Sequence, residues 1–211
     1  MKKCGFFITF EGGEGSGKST QIKEAAKYLK KKGFQIEVYR EPGSTDVGEA
    51  IRNVLLNPKL KSMVWQTELL LFLAARAQLV REKIMPALQK GKTVLVDRFE
   101  DSTIAYQAYG RKLDQFKIES FFPFVRENCL PDLTFFLDVP VSLGMQRASK
   151  RGKPDRMEKS KLDFHERVRK GFLSLAKKYQ PRMHVIASDR SVEEVRVNIL
   201  KVLDEKLRIK A

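Results

Sequence analysis

The sequence predicts an α/β domain: a five-stranded parallel sheet covered by helices on both faces. Three observations carry that prediction. Apolar runs rich in Ile, Val, Phe and Leu alternate along the chain with helical patterns. The runs lack polar alternation, as strands buried on both faces should. A glycine-rich loop, GGEGSGKS at 12–19, joins the first apolar run to the first helical pattern. A βαβα order with that loop argues for a parallel sheet between two helical layers, a three-layer sandwich.

The first strand is placed at 5–11, where Phe6-Phe7-Ile8-Thr9-Phe10 is apolar and β-prone. The first helix spans 18–32, with Ile22, Ala25, Ala26 and Leu29 on one face. The same criteria place strands at 35–40, 92–97, 132–138 and 183–187. Helices are expected over 46–56, 65–90, 102–109, 114–128, 140–149, 161–179 and 191–207. The last opens with Ser191-Val192-Glu193-Glu194, a capping-box pattern, and turns Val195, Ile199, Val202 and Leu203 inward. Ligands of such a sheet gather at the carboxyl ends of its strands.

At 211 residues the chain is read as one domain, 1–211, able to bury a core without staples. Cys4 and Cys129 form neither a disulfide framework nor a metal spacing, which suits a reducing, cytoplasmic setting. The start, Met1-Lys2-Lys3-Cys4-Gly5, faintly resembles a signal peptide, but its apolar run is short and meets Glu11. No stretch approaches a membrane span, so no membrane partner is expected. The net charge of +15 favours acidic partners, either nucleic acid or a nucleotide triphosphate. Without a helix-turn-helix, zinc-finger or RNP signature, nucleic acid is not the expected partner.

The glycine loop matches G-x-x-x-x-G-K-[ST], and strand–loop–helix is the context a phosphate-binding loop requires. Gly12, Gly13, Glu14, Gly15, Ser16, Gly17, Lys18, Ser19 and Thr20 would surround the phosphates of ATP with backbone N–H groups. Lys18 supplies a point charge, and Ser19 can hold Mg²⁺. The fold is accordingly of the P-loop NTPase type. Asp97 and Arg98 end a buried strand. An Asp there can approach Mg²⁺, directly or through water, and an Arg can grip a phosphate; the plainer reading is a strand-end ion pair.

Phe72 and Arg76 lie four apart on one helical face, where a ring and a guanidinium could stack on a base and read its edge. A core Phe beside a snorkelling Arg is the commoner meaning of that spacing. Thr103 and Gln107 repeat the spacing beyond Arg98, with Tyr106 alongside. Arg40 to Thr45 reads as a turn, with Arg52 one to two helical turns on. Residues 146–161, QRASKRGKPDRMEKSK, are nearly devoid of apolar side chains and crowded with Lys and Arg. That segment reads as a short basic lid over phosphates, or as a solvated loop.

Together FEGGEGSGKST, REPGSTDVGEAIR, FLAARAQ, VLVDRFEDSTIAYQAYGR, LDVP and DRME resemble thymidylate kinase, the bacterial-type dTMP kinase, from Phe10 to Asp189. The resemblance implies transfer of a phosphoryl group from Mg·ATP to dTMP. It implies that Lys18 and the loop amides hold the ATP phosphates and that Glu14 approaches the sugar 3′-hydroxyl. Phe72 would stack on thymine, Arg76 would donate to its O4, and Thr103 and Gln107 would meet the base edge. Tyr106 would wall the sugar, Arg52 and Arg98 would grip the dTMP phosphate, and Glu41-Pro42 would form a substrate loop that often holds a cis proline. Arg147, Arg151 and Arg156 would be the lid arginines, Arg147 on the ATP side and Arg151 or Arg156 catalytic. Ser44 and Phe172 depart from the family pattern, which usually has glycine and often tyrosine there.

Rival readings are another deoxynucleoside monophosphate or nucleoside kinase, a nucleic-acid-stimulated P-loop NTPase, and a non-catalytic nucleotide sensor. Leu69 to Leu73 are more apolar than one buried stripe needs, which, with the resemblance, predicts a homodimer.

Overall fold

The computed structural model describes residues 5–150 and 155–209. Five parallel strands form one sheet in the order β2-β3-β1-β4-β5. They are β1 (Phe6–Glu11), β2 (Ile36–Arg40), β3 (Thr93–Asp97), β4 (Leu133–Asp138) and β5 (Met183–Ala187). Register is continuous, with Phe10 opposite both Asp97 of β3 and Phe135 of β4. The strand ends bearing Glu11, Arg40, Asp97 and Asp138 therefore converge on one edge.

The three central strands β1, β3 and β4 are buried on both faces, as the sequence predicts, whereas the edge strands β2 and β5 have a partner on one side alone and leave Val38 and Val185 exposed. From β1, Ile8 and Phe10 join Phe135, Ile22, Leu29, Val195 and Ile199 beneath α1 (Lys18–Lys31) and α10 (Val192–Leu207). Phe7 faces the other way and meets Val94, Val96, Phe99 and Leu79. Phe136 and Phe172 stack at 5.1 Å in the cluster beneath α9 (Leu162–Lys178). At roughly 25 cal/mol per Å² of apolar surface removed from water, such rings supply much of the driving force for folding.

Helix starts follow local chemistry. Thr45 caps α2 (Asp46–Leu55) by accepting from the Gly48 N–H at 2.9 Å. Ser191 and Glu194 form the capping box expected at α10. The remaining helices are α3 (Trp65–Leu79), α4 (Met85–Gln89), α5 (Glu100–Thr103), α6 (Gln115–Ser120), α7 (Phe122–Arg126) and α8 (Val141–Ser149).

Three expected helices differ. The 65–90 helix widens into a π-helical stretch at Val80–Ile84 before α4. Pro86 has no N–H to give and its ring crowds the preceding turn, so the α ladder cannot run through it. The helix expected at 114–128 is split between α6 and α7, where Pro123 restarts the ladder. The helix expected at 102–109 starts at Glu100 and opens into a π-helical stretch at Ile104–Gly110, marked by the Arg111 N–H bonding the Tyr106 carbonyl at 2.9 Å.

Among the described residues, no helix is long and apolar enough to cross a membrane. Cys129 is buried; Cys4 lies outside the described residues. Of the basic segment, residues 146–150 finish α8 and 155–161 form turns leading into α9.

Candidate active site

The glycine loop leaves β1 and enters α1. Gly17 takes a left-handed φ of 85° at the helix start. Gly15 is left-handed as well, and a Cβ on it would sit 2.0 Å from the Gly144 carbonyl oxygen of α8. Only glycine fits there. The approach is reciprocal, since a Cβ on Gly144 would sit 2.4 Å from the Glu14 carbonyl oxygen.

Lys18 folds its ammonium back over the loop, donating to the carbonyls of Gly12 and Gly13 at 3.2 and 3.1 Å. Burial, then the Arg98 charge, push its pKa down to about 8, with Asp97, Glu14 and Glu11 opposing. A phosphate chain would supply the countercharge that these carbonyls replace only in part. Ser19 donates to Asp97 Oδ2 at 3.0 Å. The pair is made of hard oxygen donors beside the loop, which suits Mg²⁺ carrying waters and phosphate oxygens as its other ligands. Among the described residues, no group of three or more His, Cys, Asp or Glu side chains could hold a metal ion.

Arg98 sits at a left-handed φ of 72°, a costly conformation for a residue with a Cβ. Its surroundings hold it there. The Arg98 N–H donates to the Phe10 carbonyl at 2.9 Å, and the next N–H, of Phe99, donates to Glu11 Oε1 at 2.7 Å. The Arg98 guanidinium donates to the Gly12 carbonyl at 2.9 Å and to Glu14 at 3.1 Å, and lies 4.9 Å from the Tyr106 ring centre. Tyr106 donates to the same Glu14 oxygen at 2.7 Å. Burial works against the Glu14 charge, but Arg98 and Lys18 outweigh it and hold the carboxyl down to about 2.

The base-side residues form a second constellation. Arg76 is buried and clamped by Glu41, at 2.8 Å from Nε and 2.6 Å from Nη2, and its Nη1 donates to Thr103 at 2.8 Å. Burial works against its charge, but Glu41 more than restores it. Glu41 therefore orients Arg76, and the peptide bond to Pro42 is cis. Arg52 donates to the Pro42 carbonyl at 2.9 Å. Gln107 donates to Glu68 at 3.0 Å. Ser44 accepts the position usually held by glycine: it adopts a φ of 68°, braced by its hydroxyl against the Arg40 N–H and by its own N–H against Glu49.

A cavity of about 430 Å³ joins the two constellations. Its wall includes the loop from Glu14 to Thr20, Glu41, Pro42, Arg52, Phe72, Arg76, Asp97, Arg98, Thr103, Tyr106, Gln107 and Arg147. Gly12 and Gly13, expected at the phosphates, do not line it; their carbonyls accept from Lys18. Of the three arginines expected in a lid, Arg147 reaches this wall and donates to the Ser188 carbonyl at 2.7 Å. Arg156 turns away, donating to the Leu55 carbonyl at 2.7 Å and to Glu68 at 2.5 Å. Arg151 lies outside the described residues. Phe172 is fully buried, with its ring edge-on to Tyr106 at 6.3 Å. It supports the tyrosine from behind and does not line the cavity.

Sequence reasoning passed over Glu11, Glu68 and Gly144. Glu11 and Glu68 are buried carboxyl groups, the first accepting from the Phe99 N–H next to Arg98 and the second from the Gln107 amide. Their signal was a charge inside an apolar pattern, at the end of a buried strand and on the inner face of a helix. For Gly144 it was a glycine in mid-helix, a cost without local reason.

The model of the family described as thymidylate kinase matches residues 10–199. A thymidylate kinase of Protochlamydia amoebophila is 48% identical over 210 residues, covering 96% of this chain and 93% of the relative. One from Geobacter sulfurreducens is 47% identical over 205 residues, covering 94% and 96%. The crystal structure of thymidylate kinase from Ehrlichia chaffeensis superposes with a TM-score of 0.76 at 36% identity, covering 94% of this chain and 98% of that one. With the phosphate loop, the strand-end Asp97-Arg98 and the Arg76–Gln107 wall in one cavity, these likenesses establish that the chain belongs to the thymidylate kinase family.

Proposed function

We infer that the chain transfers the γ-phosphoryl group of ATP to the 5′-phosphate of dTMP, giving dTDP and ADP. One observation carries this reading: a single cavity is walled at one end by the phosphate loop and at the other by Phe72, Arg76, Thr103 and Gln107. The acceptor is an anionic phosphate and needs little help from a base. Catalysis is then positioning plus neutralisation of charge.

The phosphate-loop amides and Lys18 bind the ATP phosphates. Arg98, with Arg52, grips the acceptor phosphate; its tie to Glu14 keeps the guanidinium in the crevice between the two substrates. Glu14 and Tyr106 line the sugar. Ser19 and Asp97 would hold Mg²⁺, which when bound neutralises charge on the phosphate oxygens. Residues 146–161 act as a lid that excludes water and delivers a guanidinium from Arg147, Arg151 or Arg156. The chain works as a cytoplasmic homodimer, with Leu70 of α3 exposed at 55% and Phe116 and Phe124 of α6 and α7 exposed at 81% and 86%.

A panel of nucleoside monophosphates with Mg·ATP, followed by ADP release, tests the reading. dTMP is expected to be the best acceptor. dUMP, lacking one methyl, should lose about 1 kcal/mol of transition-state binding. dCMP should be poor, because Arg76 presents donors where cytosine carries an amino donor. Equal turnover of dCMP and dTMP would overturn the assignment.

A further inference from the structure

We propose that Glu68 is a specificity-determining positioning residue, which fixes the amide of Gln107 so that its carbonyl oxygen, not its nitrogen, is offered to the base. The proposal rests on the placing of Gln107 against the acceptor base given above.

The geometry is simple. Glu68 lies on α3 and is 1% exposed. Its Oε1 accepts from Gln107 Nε2 at 3.0 Å. Its Oε2 accepts from Arg111 Nη2 at 2.9 Å and from Arg156 Nη1 at 2.5 Å. An ionised carboxylate only accepts. Whichever way the amide is drawn, its nitrogen must face Glu68. The carbonyl oxygen is then the polar end left for the cavity that Gln107 lines. Burial works against the Glu68 charge, but its hydrogen bond from Arg111, that residue's charge, and the bonds from Gln107 and Arg156 hold the carboxyl below its usual range. The acceptor that locks the amide therefore stays an acceptor at neutral pH.

The chemistry of the bases gives this orientation its consequence. Thymine and uracil carry a hydrogen on N3, and cytosine carries a lone pair there. An amide oxygen welcomes the first and repels the second. A reversed amide would do the opposite. Discrimination at N3 would thus be set from outside the cavity, by a side chain that does not line it, in addition to that by Arg76 at the neighbouring position. Two unpaired acceptors facing each other in a dry site are costly, which is what makes such an arrangement selective.

The test compares kcat/KM for dTMP and dCMP in wild type, Glu68→Gln, Glu68→Asp, Gln107→Ala, and the Glu68→Gln/Gln107→Ala double variant. Glu68→Gln is isosteric and offers either a donor or an acceptor, so the Gln107 amide can reverse. Glu68→Asp keeps the charge for Arg111 and Arg156 but draws the acceptor back from Gln107, and it decides the matter if Glu68→Gln does not fold. The ratio of the two acceptors cancels effects common to both, such as a loosened Arg156. We expect the dTMP/dCMP ratio to fall roughly tenfold or more in the Glu68 variants, through a higher KM for dTMP and a lower one for dCMP. In the Gln107→Ala background, Glu68→Gln should move the ratio by no more than about twofold, since its route of action is gone.

If wild type discriminates and the Glu68 variants lose activity equally on both acceptors, Glu68 is merely structural and the proposal fails. It also fails if the ratio shifts as much without Gln107. If wild type itself accepts dCMP as readily as dTMP, the base assignment fails first.

Discussion

At the scale of residues, the candidate site holds two carboxyl groups whose environments pull in opposite directions. Glu14 is held down to about 2, because Arg98 and Lys18 overcome its burial. Its charge adds stability that is complete above the unfolded carboxyl pKa and is lost as pH falls from there toward 2. A shift of that size corresponds to about 3 kcal/mol. Glu11 is fully buried and, by burial first and the Asp101 charge second, is pushed up to about 8. The folded protein therefore keeps a proton that the unfolded chain has released, and stability falls as pH rises from the usual carboxyl range through 8. Thermal melts of two variants separate the signs. The stability gap between wild type and Glu14→Gln should narrow as pH drops from 6 to 3. The gap between wild type and Glu11→Gln should move in the variant's favour from pH 5 to 9. Gaps that stay flat with pH would contradict the assigned charges.

At the scale of elements, the phosphate loop is shaped as much by α8 as by its own glycines. Gly15 and Gly144 let loop and helix backbones meet where a single added Cβ would overlap a carbonyl oxygen. Gly144→Ala should raise intrinsic helix propensity by roughly 1 kcal/mol yet displace the loop. The expected outcome is a folded protein whose KM for ATP rises at least about tenfold while that for dTMP changes far less. A fully active Gly144→Ala variant would show that loop and helix give way freely. The proposed lid belongs to the same scale. Arg156 is tethered to Glu68 and the Leu55 carbonyl, so delivering it to phosphate means exchanging those bonds. Alanine at Arg147, Arg151 or Arg156 should, for at least one of the three, lower kcat strongly while leaving the dTMP KM nearly unchanged. An arginine acting on a transferring phosphoryl group is worth roughly 10³–10⁵. If all three stay within about fivefold of wild-type kcat, the segment is a basic loop and no more.

At the scale of the whole molecule, the β2-β3-β1-β4-β5 order brings the chemistry to one edge of the sheet, because every parallel strand delivers its carboxyl end there. The opposite requirement, apolar surface left exposed among the described residues, appears on α3, α6 and α7. Leu69 and Leu73 turn into the core while Leu70 faces out, so the apolar run does exceed one stripe. Light scattering at micromolar concentration should give twice the 24.3 kDa chain mass. Leu70→Lys should shift the protein toward monomer, by placing a charge in the patch that the proposed dimer would bury. A monomeric wild type would remove the dimer.

Much of this protein was legible in its sequence, and for a definite reason. Strand and helix periodicity, the glycine loop and the Ser191–Glu194 cap depend on neighbours within one turn or one pleat, so local order determined the sheet, most element bounds and the phosphate-binding end. Spacing also put Phe72 with Arg76 and Thr103 with Gln107, though it could not tell a base-reading pair from core packing. Tertiary structure brought both pairs to the wall of one cavity. It set Glu41 against Arg76 and Glu68 against Gln107, contacts spanning 35 and 39 residues that no local pattern encodes. It also widened two helices into π stretches and turned Arg156 away from the cavity. Buried charge finds its partner only after the chain has folded around it, and so the residues that aim the site came into view last.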